Sequence, residues 1–141
     1  MTRLLDNLFV LEFGSIFAGP YCTQFLADMG ADVLKIERLT GAVGRNLVGN
    51  YRAANRNKES FSIDLRSDRG RELGLALAAQ ADVLVENYRP GAMQRLGFGY
   101  QALSELNPRL VYCALSGYGS RGPWQDLPGQ DLLIQAASGT R

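Results

Sequence analysis

Histidine is absent from all 141 residues. That one absence removes Ser-His-Asp and Cys-His catalysis, and any histidine-ligated metal site, from the chemistry open to this chain. Cysteine is scarce. Cys22 and Cys113 form no metal or redox spacing, so both read as small apolar residues of the interior and no metal is expected. No apolar run approaches the roughly 18 residues of a membrane span. The opening Met1-Thr2-Arg3-Leu4-Leu5-Asp6 is not a signal peptide, because Asp6 and Glu12 interrupt any apolar region. A cytoplasmic chain without a membrane partner is expected. Neither sign of charge dominates: 15 Lys and Arg against 14 Asp and Glu give +1. No overall field therefore favours nucleic acid, and an anion site has to be local. Gly14-Ser15-Ile16-Phe17-Ala18-Gly19-Pro20 lacks the G-x-G-x-x-G spacing of a dinucleotide site, and there is no P-loop. Leu115-Ser116-Gly117 lacks the first glycine of a nucleophile elbow.

What is present is ordinary globular composition, 46% hydrophobic and 21% charged. One domain of this length buries roughly 70% of its unfolded surface. Leu8 to Phe13 reads as a first strand. Tyr21, Phe25, Leu26 and Met29 follow at helical spacing, with Pro20 near the helix start and Gly30 as its stop. Asp32 to Glu37 is a second strand, completing a βαβ unit. From 38 to 58 periodicity fades into a long surface loop, with a helical turn near 46–54. Ser60 to Leu65 alternates as a half-buried strand does. Asp68 to Gln80 is the clearest helix, with Ser67 as N-cap and Leu73, Leu75, Leu77 and Ala78 as its apolar face. Strands over 82–86 and 110–115 follow, with short helices over 92–96 and 100–106 between them. A last apolar helix begins at Asp131; it is expected to pack on more protein, which makes the chain read as a fragment. The alternation predicts an α/β fold: a Rossmann-like, mostly parallel sheet with helices on both faces.

In such a sheet ligands bind at the carboxyl ends of the strands. There the sequence places Glu86-Asn87-Tyr88-Arg89, closed by Pro90-Gly91, and also Arg38 and Arg66 directly after strands. Guanidinium forks hold phosphate oxygens in bidentate fashion, and Arg95 adds another. Tyr88 is either an adenine platform or part of the core. Amide, aromatic ring and guanidinium together suit a flat, phosphorylated ligand such as coenzyme A. Asp64, Asp82, Glu86 and Asp131 have no visible partner that marks acid–base work, so no catalytic residue is assigned.

Several segments in order resemble the class III coenzyme A transferases, of the formyl-CoA and carnitine CoA transferase type. They are Ala18-Gly19-Pro20, Gly30 to Arg38, Asn57-Lys58 with Ser60, Ile63-Asp64-Leu65, Ala81 to Gly91, Leu106 to Tyr112, Ser116 to Gly119, and Asp131 to Gly139. The resemblance runs the full length nearly without gaps. It implies that residues 1–141 are the N-terminal, CoA-binding portion of an enzyme that moves CoA from an acyl-CoA donor to a carboxylate acceptor, as an interlocked homodimer. CoA contacts would fall on Phe17, Ala18, Arg38, Ile63, Asp64, Leu65, Arg66, Asn87, Tyr88, Arg89 and Arg95. Pro128 to Asp131, with Gln130, would approach the thioester. The family's nucleophilic Asp lies beyond the segment matching Gly139, so the chain is expected to end before it. The formyl-CoA transferases carry Gln where this chain has Phe17. The related α-methylacyl-CoA racemases use Gly-His-Asp where Gly129-Gln130-Asp131 stands here, which makes a racemase the weaker alternative. A non-catalytic CoA-binding or interaction module is the other.

Overall fold

The computed structural model describes residues 3–46 and 48–140. Five strands, β1 (Phe9–Phe13), β2 (Asp32–Glu37), β3 (Glu59–Ser62), β4 (Val83–Glu86) and β5 (Val111–Ala114), form one sheet in the order β3-β2-β1-β4-β5. Every pairing is parallel. All five carboxyl ends therefore share one rim, and the order reverses between β1 and β4, opening a crevice there.

Side chains alternate across the sheet. Val10, Val33 and Val85 meet Ala27 of α1 (Ala18–Asp28) on one face. Leu11, Phe13, Ile36 and Leu84 meet Ala78 of α3 (Asp68–Ala78), Met93 of α4 (Ala92–Leu96) and Leu103 of α5 (Tyr100–Leu106) on the other. Burial of each such aliphatic or aromatic side chain stabilises the fold by roughly 1.5–3 kcal/mol. Helices thus cover both faces, as the alternation of elements predicts. Among the described residues, no helix is long and apolar enough to cross a membrane.

Three local readings are corrected. In α1 the helical spacing is right but, of the apolar stripe, only Leu26 packs on the core: Tyr21, Phe25 and Met29 are 46%, 48% and 44% exposed, whereas Gly19, Pro20, Thr23, Gln24 and Ala27 are buried. The cause is a charged cluster beneath the helix. Glu12, fully buried at the end of β1, pairs with Lys35 of β2 and with Lys58 at 2.9 Å, and accepts from Thr23 Oγ1 at 2.6 Å. Lys58 also donates to Pro20 O at 2.6 Å, and Lys35 to Gly14 O at 3.0 Å. Buried charges need such partners, and only small or polar residues of α1 leave room for them. Next, β3 is an edge strand paired only with β2, and all four of its residues are exposed. The buried residues of that stretch, Ile63 and Leu65, follow the strand. Finally, α3 packs through Gly70, Gly74 and Ala78, while Leu73, Leu75 and Leu77 flank the contact half-buried. A Cβ on Gly74 would stand 2.6 Å from Phe98 Cζ, so the helix lies directly against that ring. The Ser67 cap is present, its Oγ accepting from Gly70 N at 3.0 Å.

The long segment after β2 holds a 3-10 turn (Val43–Asn46) and α2 (Val48–Asn55). It is pinned at both ends. Glu37, 4% exposed, accepts from Ala42 N at 3.0 Å, Arg45 Nε at 2.8 Å and Tyr51 OH at 2.5 Å. Asp28 of α1 pairs with Arg56 and accepts from Asn57 Nδ2 at 2.9 Å.

Candidate functional site: a cleft along the carboxyl rim

A continuous open cleft of about 1870 Å³ runs along the carboxyl ends of the strands. Each strand end contributes to its wall. After β1, Ser15 to Ala18 form the turn into α1; after β2 come Arg38, Leu39 and Thr40. Beyond β3 lie Ile63 to Arg66, and beyond β4 Asn87 to Pro90, with Arg95 one turn into α4. All twelve residues that the sequence singles out, from Phe17 to Gln130, line this one cleft. The parallel sheet brings them together: residues up to 113 positions apart share a wall because every strand ends on the same side.

Basic groups outnumber acidic ones along the wall, with Arg38, Arg66, Arg89 and Arg95 against Glu37, Asp64 and Asp131. Among the described residues, Arg38, Arg66, Arg89 and Arg95 make no ion pair, whereas Arg45, Arg56 and Arg69 do. The four rim guanidinium groups are exposed. Glu37 lies beside Arg38 but turns inward to Arg45, Tyr51 and Ala42 N. Burial alone would push its carboxyl up; those hydrogen bonds outweigh burial and hold it below the usual range. In nucleotide folds an acidic residue at this strand end takes a ribose diol; here it is spent on holding the arm. Asp64 is likewise occupied, its Oδ1 accepting from Arg66 N at 3.0 Å.

Tyr88 belongs both to the core and to the cleft wall, half-buried against the first while lining the second. Burial pushes its phenol up, with Arg38 pulling the other way. Beneath it, burial raises the carboxyl of Glu86, opposed by the bond from Tyr88 N to Oε2 at 2.8 Å. Asn87 does not present its amide to the cleft: Nδ2 donates to Ser15 O at 2.9 Å, and Oδ1 accepts from Ser15 N at 2.7 Å.

The far wall is built by two loops that cross backbone to backbone. A Cβ on Gly117 would lie 2.5 Å from Gly129 Cα, and one on Gly129 would lie 2.6 Å from Gly117 Cα. Only glycine permits that approach. The crossing sets Pro128, Gln130 and Asp131 over the end of β5, at the start of α6 (Asp131–Ser138). Gln130 is the N-cap but makes no side-chain cap bond, and Asp131 Oδ2 accepts from Gln135 Nε2 at 2.8 Å. Sequence reasoning missed Ser15, Ile16, Thr40, Asn50 and Tyr118, which also line the cleft. For Ser15 and Ile16 the signal was available, since they sit in the turn at the crevice; Asn50 reaches the cleft only through the pinned arm. Among the described residues, no group of three or more Cys, Asp or Glu could hold a metal ion.

The cleft thus offers unpaired guanidinium groups, a half-buried phenol, and an apolar rim of Ile16, Phe17, Leu39 and Ile63. Such a set is chemically complementary to an elongated anion with an aromatic part. Residues 5–141 match the profile of CoA-transferase family III. The chain is 41% identical to an acyl-CoA transferase of Fusarium pseudograminearum, over 96% of this chain and 33% of that protein. It is 38% identical to a succinate–glutarate CoA-transferase of Agrobacterium fabrum, over 96% of this chain and 38% of that protein. A crystal structure of a CAIB/BAIF family protein from Brucella suis superposes with a TM-score of 0.95 at 37% identity, covering 99% of this chain and 40% of that one. The chain therefore spans little more than a third of the length of these relatives.

Proposed function

The chain belongs to CoA-transferase family III, and from that premise we propose that its rim cleft holds the CoA moiety of an acyl-CoA. The protein it represents moves that CoA to a carboxylate acceptor. The observation that carries the reading is the set of four rim arginines left without carboxylate partners among the described residues, on one wall with Tyr88. CoA bears phosphates at the nucleotide end, an adenine and an extended apolar arm. Arg38, Arg66, Arg89 and Arg95 take the phosphates as charge-assisted forks. Tyr88 offers its ring to the adenine. Phe17, Ala18, Ile63, Asp64 and Leu65 flank the arm, whose thioester end points to Gln130 at the start of α6. The residues fit CoA without any metal. A homodimer as the working unit is part of the same reading. Against a racemase stands Gln130, an amide that takes up no proton at neutral pH, in a chain without histidine.

Isothermal titration of the 141-residue chain with CoA and with acetyl-CoA tests the cleft. Saturable one-site binding, weakened by salt as charged contacts are, is expected. No heat and no saturation at about millimolar ligand rejects it.

A further inference from the structure

One rim side chain has its hydrogen bonds committed before any ligand arrives. The amide of Asn87 exchanges two bonds with the backbone of Ser15, Ser15 N to Oδ1 at 2.7 Å and Nδ2 to Ser15 O at 2.9 Å. Within the sheet a neighbouring strand would satisfy both backbone groups of Ser15, but here β1 and β4 have already ended and the crevice is opening. The next residue, Ile16, has φ +61°. For a β-branched side chain that left-handed conformation is an outlier, and it persists only where its surroundings over-determine it. Gly19 closes the device from the helix side, since a Cβ there would stand 3.0 Å from Asn87 Oδ1. The strained turn carries Ile16 and Phe17, 58% and 47% exposed, into the cleft wall.

We propose that Asn87 is a positioning residue: its amide staples the Ser15-Ile16 turn in the left-handed shape that presents Ile16 and Phe17 to the ligand, and it makes no side-chain contact with the ligand itself. The inference rests on the reading of the cleft as a CoA site. Without the staple Ser15 loses both partners and Ile16 relaxes to negative φ, so only a fraction of molecules keeps the wall in shape. Apparent affinity falls by that fraction.

A double-mutant cycle separates this role from direct contact. CoA binding is measured by calorimetry for the wild type, Asn87→Ala, Ile16→Gly and the double variant. The unliganded proteins are compared by amide exchange at Ser15. Asn87→Ala is expected to weaken CoA about tenfold in the wild-type background. In the Ile16→Gly background, where positive φ carries no penalty, it is expected to cost less than about threefold. The Ser15 amide loses its protection in Asn87→Ala. Equal losses in both backgrounds, or a Ser15 amide still protected in Asn87→Ala, overturn the staple. Wild-type protein that binds no CoA fails the cleft reading instead, and the role in binding falls with it. If Asn87→Ala does not fold by thermal scan, Asn87→Ser takes its place in the cycle.

Discussion

At the rim, Arg38 and Arg95 differ from Arg45 and Arg56 of the segment after β2 in having no carboxylate to answer to among the described residues. Arg45 is bound to Glu37 and Arg56 to Asp28. A guanidinium that replaces water around a phosphate is worth roughly 1.5–3 kcal/mol. Arg38→Ala and Arg95→Ala are therefore each expected to weaken CoA by at least about tenfold in calorimetry, with thermal stability unchanged. Glu37 has the opposite role. Its folded-state carboxyl titrates below the ordinary value near 4.5, so its bonds contribute fully above that pH. As acid is added the unfolded chain takes up the proton first, and the contribution is gone once the pH passes below the folded-state pKa. Urea midpoints measured from about pH 6 down to about pH 3 should fall in the wild type, and less steeply in Glu37→Gln.

Among the elements, α1 and the crossed loops depend on single residues that no periodicity reveals. Glu12→Gln strips the charge that Lys35 and Lys58 share in the interior. Loss of one member of a buried ion pair costs about 3–5 kcal/mol, and urea unfolding should register a drop of that order. Gly129→Ala drives a Cβ into the backbone of Gly117. It is expected to speed amide exchange across 128–138 and to weaken CoA, while the exchange of β1 and β4 stays unchanged. The strands and helices themselves were legible: alternation and caps predicted β2 at its observed bounds and the start of α3 at Asp68, behind Ser67. The buried face of α1 was not, because its 3.6-residue stripe of Tyr21, Phe25 and Met29 says only that those residues share a side. That side faces water because Glu12 and Lys58 occupy the space beneath the other one. Glu12 and Lys35 did carry a signal, opposite charges inside two neighbouring apolar strands. The half-buried reading of β3 failed for another reason: its buried alternate residues, Ile63 and Leu65, come after the strand has ended, and alternation does not mark where pairing stops.

In the whole molecule, a parallel sheet converts sequence-distant loops into one wall, which is why the arginines and Tyr88 read from strand ends line the same cleft as the residues added by the family resemblance. How each is used was less legible. Asn87 and Asp64 lie at the rim, yet Asn87 bonds to the backbone of Ser15 and Asp64 accepts from Arg66 N, and only the three-dimensional placement of the turns sets those partners. The far end of the wall is more open: Leu132 and Leu133 of α6 are exposed, and no residue of that helix is buried. The chain's single tryptophan, Trp124, sits in the loop leading there, edge-on to Tyr118 with ring centroids 5.5 Å apart. Tyr118 lines the cleft while Trp124 is half open to water. The chain therefore carries one indole fluorophore, packed on a ring that lines the place where a ligand would settle. Its emission should shift as CoA is titrated in, with the same midpoint as the calorimetric curve, and a Tyr118→Leu variant should lose that optical response while keeping the heat.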